Sequence, residues 1–158
     1  MTSDNHELTI SRLIKAPRAV VWSAWAEKEH FARWWIPAPL HCKVVKLDLQ
    51  PGGGFETRMS EDGDSYTPHL EGCFLDIVPQ RKIVFTTVLT EGWKPQDPWL
   101  ALTAIITMDD AGTATKYMAR VLHKNPQDRR KHQEMGFEEG WGTCIDQLGK
   151  VVARLASS

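Results

Sequence analysis

The residues of this chain that could take part in chemistry are a few histidines, carboxylates and cysteines. His69-Leu70-Glu71 has the H-x-E spacing of zinc deaminases, in which the histidine binds zinc and the glutamate transfers protons. The P-C-x-x-C segment that completes such a site is missing from the sequence. On a strand, His69, Glu71 and Cys73 share one face, and we expect that face to point to solvent rather than into an active site.

His123 and His132 are the second candidate pair, because they flank the start of the last predicted helix and could converge. Two histidines are too few ligands for zinc, so we expect ordinary loop and helix histidines and no bound metal or cofactor. Three widely spaced cysteines indicate neither a disulfide framework nor a metal pair. Cys144 is expected to be a small buried hydrophobic residue. The residues define no catalytic constellation, and whether the protein is an enzyme stays open.

The elements that must position these residues follow from hydrophobic periodicity. Alternating apolar residues predict a strand over residues 7–14, and apolar stripes predict helices over about 17–26 and 28–35. Six further segments with a period of two lie between residues 45 and 122, separated by turns rich in Gly, Pro and Asp. Strand, two helices, six strands and a final helix predict an antiparallel α+β fold.

The last predicted element is one long helix. Asn125 can cap it, Pro126 fits its first position, and an apolar stripe runs from Phe137 to Leu155. This helix contains several glycines, and each costs about 1 kcal/mol in a helix interior. They are Gly136, Gly140, Gly142 and Gly149. Either the helix approaches the sheet closely, or unfilled space lies beside its N-terminal half; both explanations stay open.

Composition bounds the class of protein. The 158 residues fit one domain spanning 1–158, and a net charge of −1 argues against a nucleic-acid partner. No apolar run approaches the roughly 20 residues that a membrane span needs, and the cysteine usage suggests a reducing, cytoplasmic location. Seven tryptophans are the unusual feature, since they supply much aromatic surface for either a thick core or a cavity wall.

Several segments, in order along the chain, resemble a known family. They are Lys15-Ala16-Pro17 with Val21-Trp22, Trp34-Trp35-Ile36-Pro37, Pro51-Gly52-Gly53, Gly72-Cys73-Phe74-Leu75, and the closing His132-Gln133-Glu134-Met135-Gly136-Phe137 with Gly140-Trp141-Gly142. The chain is similar over residues 7–155 to the bacterial branch of the heat-shock-chaperone ATPase activator homologues, within the START-like, polyketide-cyclase-like superfamily. This resemblance implies a helix-grip fold, in which a curved antiparallel sheet wraps a long C-terminal helix around an apolar cavity.

The resemblance implies, as our first hypothesis, a cytoplasmic binding module for a small hydrophobic or amphipathic ligand, with no cofactor. The predicted ligand-binding residues are Trp35, Phe55, Met59, Phe74, Phe85, Leu102, Tyr117, Met135 and Trp141. Tyr117 would offer one oriented hydrogen bond. For Arg58 and Arg120 two alternatives stay open: a position on the protein surface, or binding of a ligand carboxylate at the cavity mouth.

Two other functions stay open. A cyclase or hydrolase would need an inward-facing titratable group, for which His69, Glu71, His123 and His132 are the candidates. A chaperone partner would need an exposed apolar patch, and the absence of a second domain makes it the less favoured alternative. A homodimer is also compatible with the sequence.

Overall fold

The computed structural model describes residues 6–157. Its strands are β1 (Glu7–Ile14), β2 (His41–Leu47), β3 (Gly54–Ser60), β4 (Thr67–Val78), β5 (Lys82–Thr86), β6 (Leu89–Thr90), β7 (Lys94–Pro95), β8 (Thr103–Ala111) and β9 (Ala114–Leu122). Its helices are α1 (Arg18–Ala26), α2 (Lys28–Phe31), α3 (Pro126–Glu134) and α4 (Phe137–Ser157).

Seven strands form one curved antiparallel sheet in the order β1-β9-β8-β5-β4-β3-β2. The first strand pairs with the last, from Glu7 opposite Leu122 to Ile14 opposite Thr115. The small β6–β7 hairpin forms a separate two-stranded sheet, and β2 begins four residues earlier than predicted. The sheet and α4 together form the predicted helix-grip fold, which is confirmed.

The second helix is shorter than predicted. It ends at Phe31, and the backbone N–H of Trp34 then bonds the carbonyl of Phe31 at 3.2 Å in a tighter turn. This turn rotates Trp34 and Trp35 inward ahead of Pro37, where both side chains are buried. The predicted helix over residues 28–35 is therefore wrong in its last turn.

The C-terminal helix is two helices. The Asn125 side chain caps α3 by accepting from the backbone N–H of Asp128 at 2.7 Å, as expected, but α3 ends at Glu134. Gly136 then adopts φ +94°, a conformation that glycine takes without steric cost, and α4 begins at the next residue. The prediction of one continuous helix overlooked this break, because Gly136 was counted as an interior glycine.

Both explanations for the glycines apply, at different positions. A Cβ on Gly142 would lie 3.2 Å from Arg12 Nη2 and 3.6 Å from Ile10 Cδ1, so this glycine allows α4 to approach β1 closely. A Cβ on Gly140 would meet no atom within 4 Å. Unfilled space therefore lies beside the first turns of α4.

The core on one side of that space is aromatic. We define the aromatic cluster as Trp25, Phe31, Trp34, Trp35, Phe55 and Phe85. Contacting rings in it have centroids between 4.9 and 6.5 Å apart, within the range of favourable aromatic pairs. The cluster joins α1, α2 and the turn after α2 to the concave face of the sheet, and its three tryptophans and three phenylalanines fill volume in the core.

Candidate functional site

A pocket of about 430 Å³ lies between the sheet and the two C-terminal helices. One wall comes from α3 and α4, and another from residues 68–71 of β4 and the loop that precedes β8. Most of the lining is apolar. Trp99 and Met135 line the pocket and are 66% and 51% exposed, so they mark its mouth.

The helix wall is built around the break between α3 and α4. The positive φ of Gly136 redirects the chain, so the last turn of α3 and the first turns of α4 face the same space. The wall residues are His132, Met135, Gly136, Phe137, Gly140 and Trp141. All six belong to the closing segment on which the family resemblance rests.

Trp35 connects the pocket to the aromatic cluster. Its ring lies 4.9 Å from Phe31 and 6.3 Å from Trp141, measured between ring centroids. The indole Nε1 of Trp35 is buried and has no hydrogen-bond partner among residues 6–157. Since a buried donor without a partner costs about 1–3 kcal/mol, an acceptor brought to this atom by a bound molecule would be stabilising.

His69 also lines the pocket, contrary to the expectation of a solvent-facing position. The register between β3 and β4 shifts after Thr57, which leaves His69 as the extra residue of a β-bulge. Its Nδ1 lies 2.9 Å from the buried Thr57 hydroxyl, and burial lowers its pKa. The predicted common solvent face is wrong: Cys73 is fully buried, and Glu71 is exposed at the pocket rim.

His123 and His132 converge at the pocket wall. His123 Nε2 lies 3.0 Å from His132 Nδ1, and His123 Nδ1 lies 2.9 Å from the carbonyl oxygen of His6. The two rings are 6% and 8% exposed. Burial lowers the pKa of both, that of His132 to about 4, so both imidazoles are neutral at pH 7.

The structure brings together only part of the predicted set of ligand-binding residues. Those that line the pocket are Trp35, Leu102, Tyr117, Met135 and Trp141. Those that do not are Phe55, Met59, Phe74 and Phe85.

The second group is displaced from the pocket by packing. Phe55 stacks on Phe74 at 4.8 Å and meets Phe85 edge to face at 5.0 Å, so the three rings contact one another within the core. Met59 is partly buried against the same core. The three phenylalanines are buried, but each faces neighbouring rings rather than open space.

The loop that covers part of the pocket was not among the predicted site residues. Gln96, Pro98, Trp99 and Leu100 line it, in a segment without the periodicity of a helix or strand. The Lys131 ammonium lies 5.7 Å from the Trp99 ring centroid and donates to the Trp99 carbonyl at 3.1 Å, which ties the loop to α3. The one available signal was a tryptophan beside a proline in a polar loop.

Neither arginine considered for the mouth lies there. Arg58 pairs with Glu56 at 3.7 Å, and Arg120 pairs with Glu7 at 3.1 Å. Among the pocket residues of the described chain there is no lysine or arginine. Of the two alternatives, both arginines therefore take the surface position and do not line the cavity mouth.

Tyr117 and Cys144 lie in the pocket wall as neutral groups. The Tyr117 oxygen accepts from Trp25 Nε1 at 2.9 Å, and burial raises the pKa of Tyr117. The Cys144 thiol donates to the Trp35 carbonyl at 3.2 Å, and burial raises its pKa to about 12. A thiol whose pKa is raised by apolar surroundings is not an activated nucleophile.

Residues 6–157 contain no group of three or more His, Cys, Asp or Glu residues that could hold a metal ion. Within that same stretch, none of the helices has the length and apolar character needed to cross a membrane.

Similarity to known proteins was found both in a family model and in solved structures. A family model described as Activator of Hsp90 ATPase homolog 1-like protein matches residues 15–153. A crystal structure of a protein from Nitrosomonas europaea is 32% identical, with a TM-score of 0.88 over 99% of this chain and 100% of that one. Comparison with curated proteins gives no match.

More distant structures share the fold. A crystal structure from Mycobacterium smegmatis is 20% identical with a TM-score of 0.77, over 95% of this chain and 92% of that one. A solution structure from Arthrobacter aurescens is 20% identical with a TM-score of 0.80, over 98% and 90% of the two chains. With the match over residues 15–153, the chain belongs to the family of Activator of Hsp90 ATPase homolog 1-like proteins.

Proposed function

We propose that this protein binds a small apolar or amphipathic molecule in the pocket between the sheet and α4. The observation that carries the proposal is the helix wall, because the closing segment of the family resemblance contributes six lining residues. The volume of about 430 Å³ lies in the range of roughly 300–1,000 Å³ typical of small-molecule sites. We expect the protein to act in the cytoplasm.

The chemistry of the lining supports an apolar ligand with a small polar part. Trp35, Phe137 and Trp141 offer flat aromatic surfaces, and aromatic surfaces of this kind bury much area without losing many rotamers. His69 and His132 place neutral imidazoles beside them. Apolar contact would supply affinity, and the imidazoles would orient the ligand.

A thermal-shift panel of fatty acids, aromatic polyketides and sterols tests the proposal. A ligand at about 100 times its dissociation constant adds about 2.7 kcal/mol of stability to the native state. For a chain of this length that raises the melting temperature by roughly 5–10 °C. Intrinsic tryptophan fluorescence should change on the same titration, because Trp35, Trp99 and Trp141 line the pocket.

Two leucine substitutions in α4 provide a matched pair of variants. A Cβ on Gly140 or on Gly149 would meet no atom within 4 Å, but only Gly140 lines the pocket. Gly140→Leu should weaken binding of any ligand found in the panel by tenfold or more, and Gly149→Leu should leave it unchanged. Silence of the whole panel in both assays, or equal affinity of the two variants, would contradict a ligand site here.

The alternative functions have less support. Catalysis by a cyclase or hydrolase would need an activated, inward-facing group. Burial favours the neutral forms of the candidates His69, His123 and His132, and Glu71 is exposed. A chaperone-binding role would need an exposed apolar patch, and the exposed Trp99 and Met135 belong to the mouth of the pocket, which the binding function already uses. Binding is therefore the function we put forward.

A further inference from the structure

The proton positions in the His123–His132 pair follow from the carbonyl of His6. A carbonyl oxygen only accepts, so the hydrogen of the 2.9 Å contact sits on His123 Nδ1. Neutral His123 then has a lone pair on Nε2, which accepts the hydrogen of His132 Nδ1 across 3.0 Å. His132 is therefore fixed in the tautomer whose Nε2 carries no hydrogen.

This bare nitrogen is available to a bound molecule. His132 lines the pocket, and its other ring nitrogen is already used by His123. Within residues 6–157, two side-chain nitrogen atoms are both buried from solvent and without a hydrogen bond, His30 Nδ1 and Trp35 Nε1. His132 Nε2 is not one of them, so it is accessible. His132 Nε2 is thus an acceptor that faces the pocket, and its orientation is set by a chain of two hydrogen bonds.

Two other polar groups of the pocket lining share this acceptor character, whereas the unpaired Nε1 of Trp35 is a donor. Both hydrogens of the Gln96 amide are donated to protein, at 2.9 Å to the Glu71 carbonyl and 2.7 Å to the Thr87 carbonyl, which leaves its oxygen free. The carboxylate of Glu71 lies at the rim, and no lysine or arginine lines the pocket in the described chain. A carboxylate ligand would meet no cation and would face a like charge.

We propose that the pocket selects neutral apolar molecules that carry a hydroxyl group, a phenol or an alcohol, whose O–H donates to His132 Nε2. This inference rests on the proposed function. It adds the ligand class and names the residue that distinguishes the class. His123 is a positioning residue, since it acts on the ligand only through the tautomer of His132.

Three naphthalenes of nearly equal size separate the hydroxyl from its alternatives. Isothermal titration at pH 7 would compare 2-naphthol, 2-methoxynaphthalene and 2-naphthoic acid. We expect 2-naphthol to bind about tenfold tighter than the ether, the effect of one hydrogen bond of ordinary strength. We expect the ionised acid to bind weakest, and equal affinities of naphthol and ether would overturn the inference.

Variants assign the preference to His132. His132→Phe keeps a ring beside Phe137 and Trp141, which lie 5.1 and 6.4 Å away between centroids, and should remove the preference for naphthol over its ether. His41→Phe is the control, because His41 is exposed and does not line the pocket, and it should retain that preference. A preference that survives in His132→Phe would assign the hydroxyl to another residue, and a preference that is also lost in His41→Phe would not depend on the pocket; either result refutes the proposal.

A spectrum of the unliganded protein tests the tautomer without any ligand and without a variant. Long-range ¹H–¹⁵N correlation of ¹⁵N-histidine-labelled protein distinguishes bare from protonated ring nitrogens. We expect His132 to show a bare Nε2 and a protonated Nδ1; the opposite tautomer overturns the inference. If none of the naphthalenes binds, the hydroxyl class is refuted, while the broader panel still decides whether the pocket binds other molecules.

Discussion

Acid should unfold this protein partly through the buried histidine pair. Burial lowers the pKa of His132 to about 4 in the folded chain, whereas an unfolded chain has the ordinary value near 6.5. As pH falls, the unfolded chain therefore binds the proton first, and the free energy of unfolding decreases. The loss begins below about pH 6.5 and is complete below about pH 4.

The size of this effect follows from the two pKa values. The full difference corresponds to about 3 kcal/mol, of which about 2 kcal/mol is lost between pH 7.5 and pH 5. The pKa of His123 is also lowered by burial, so its contribution has the same sign. At pH 5 most carboxylates are still ionised, which keeps their contribution small in this interval.

Urea unfolding at pH 7.5, 6.5, 5.5 and 5 measures the effect in wild type, His132→Phe and His41→Gln. His41 is exposed and serves as the control. We expect His132→Phe to be less stable than wild type at pH 7.5, because His123 Nε2 loses its partner, but to lose about 2 kcal/mol less on going to pH 5. Parallel pH curves for wild type and His132→Phe would refute the assignment of the acid sensitivity to this pair.

Three further predictions concern the last two helices, each measured as the free energy of unfolding in urea. Gly140→Ala and Gly149→Ala should each stabilise by about 0.5–1 kcal/mol, because their Cβ atoms meet open space; a loss at Gly140 would mean that the space is filled. Gly136→Ala should destabilise by about 1–2 kcal/mol because of its positive φ, and a neutral effect would contradict the helix break. Leu148→Ala should cost about 2–5 kcal/mol because the side chain is fully buried, whereas the exposed Lys150→Ala should cost less than about 0.5 kcal/mol.

The fold was predictable because its signals are periodic. The alternation in β1 extends over eight residues, and the apolar stripe of α4 runs along a helix of 21 residues. One polar residue on the apolar side, such as Arg12 in β1, therefore does not change the assignment of the strand. The resemblance then implied that the sheet curves around the last helix, whereas the order of the strands came only from the structure. The break at Gly136 was not predictable in the same way, since a glycine in a helix and a glycine between two helices look alike in one sequence.

The pocket was predictable only in part, for two physical reasons. An inward strand residue can face a cavity or a neighbouring ring, and Phe55 and Phe85 face rings because the aromatic cluster fills the volume before them. A one-residue bulge reverses the face of a strand residue, and the local sign of the bulge at His69 is the preceding Pro68, which is equally compatible with an edge or the start of a strand. The tautomer of His132 depends on the carbonyl of His6, which is far from it in the chain.

The aromatic cluster gives the pocket a blind end. Behind Trp35 lie the packed rings of Trp25, Phe31 and Phe55, so a molecule that enters at Trp99 and Met135 cannot pass beyond Trp35. An alkyl chain longer than the path from the mouth to Trp35 must therefore leave its tail in solvent. In a homologous series of primary alcohols, affinity should therefore rise by about 0.8 kcal/mol per buried methylene and then level off at the length that reaches Trp35.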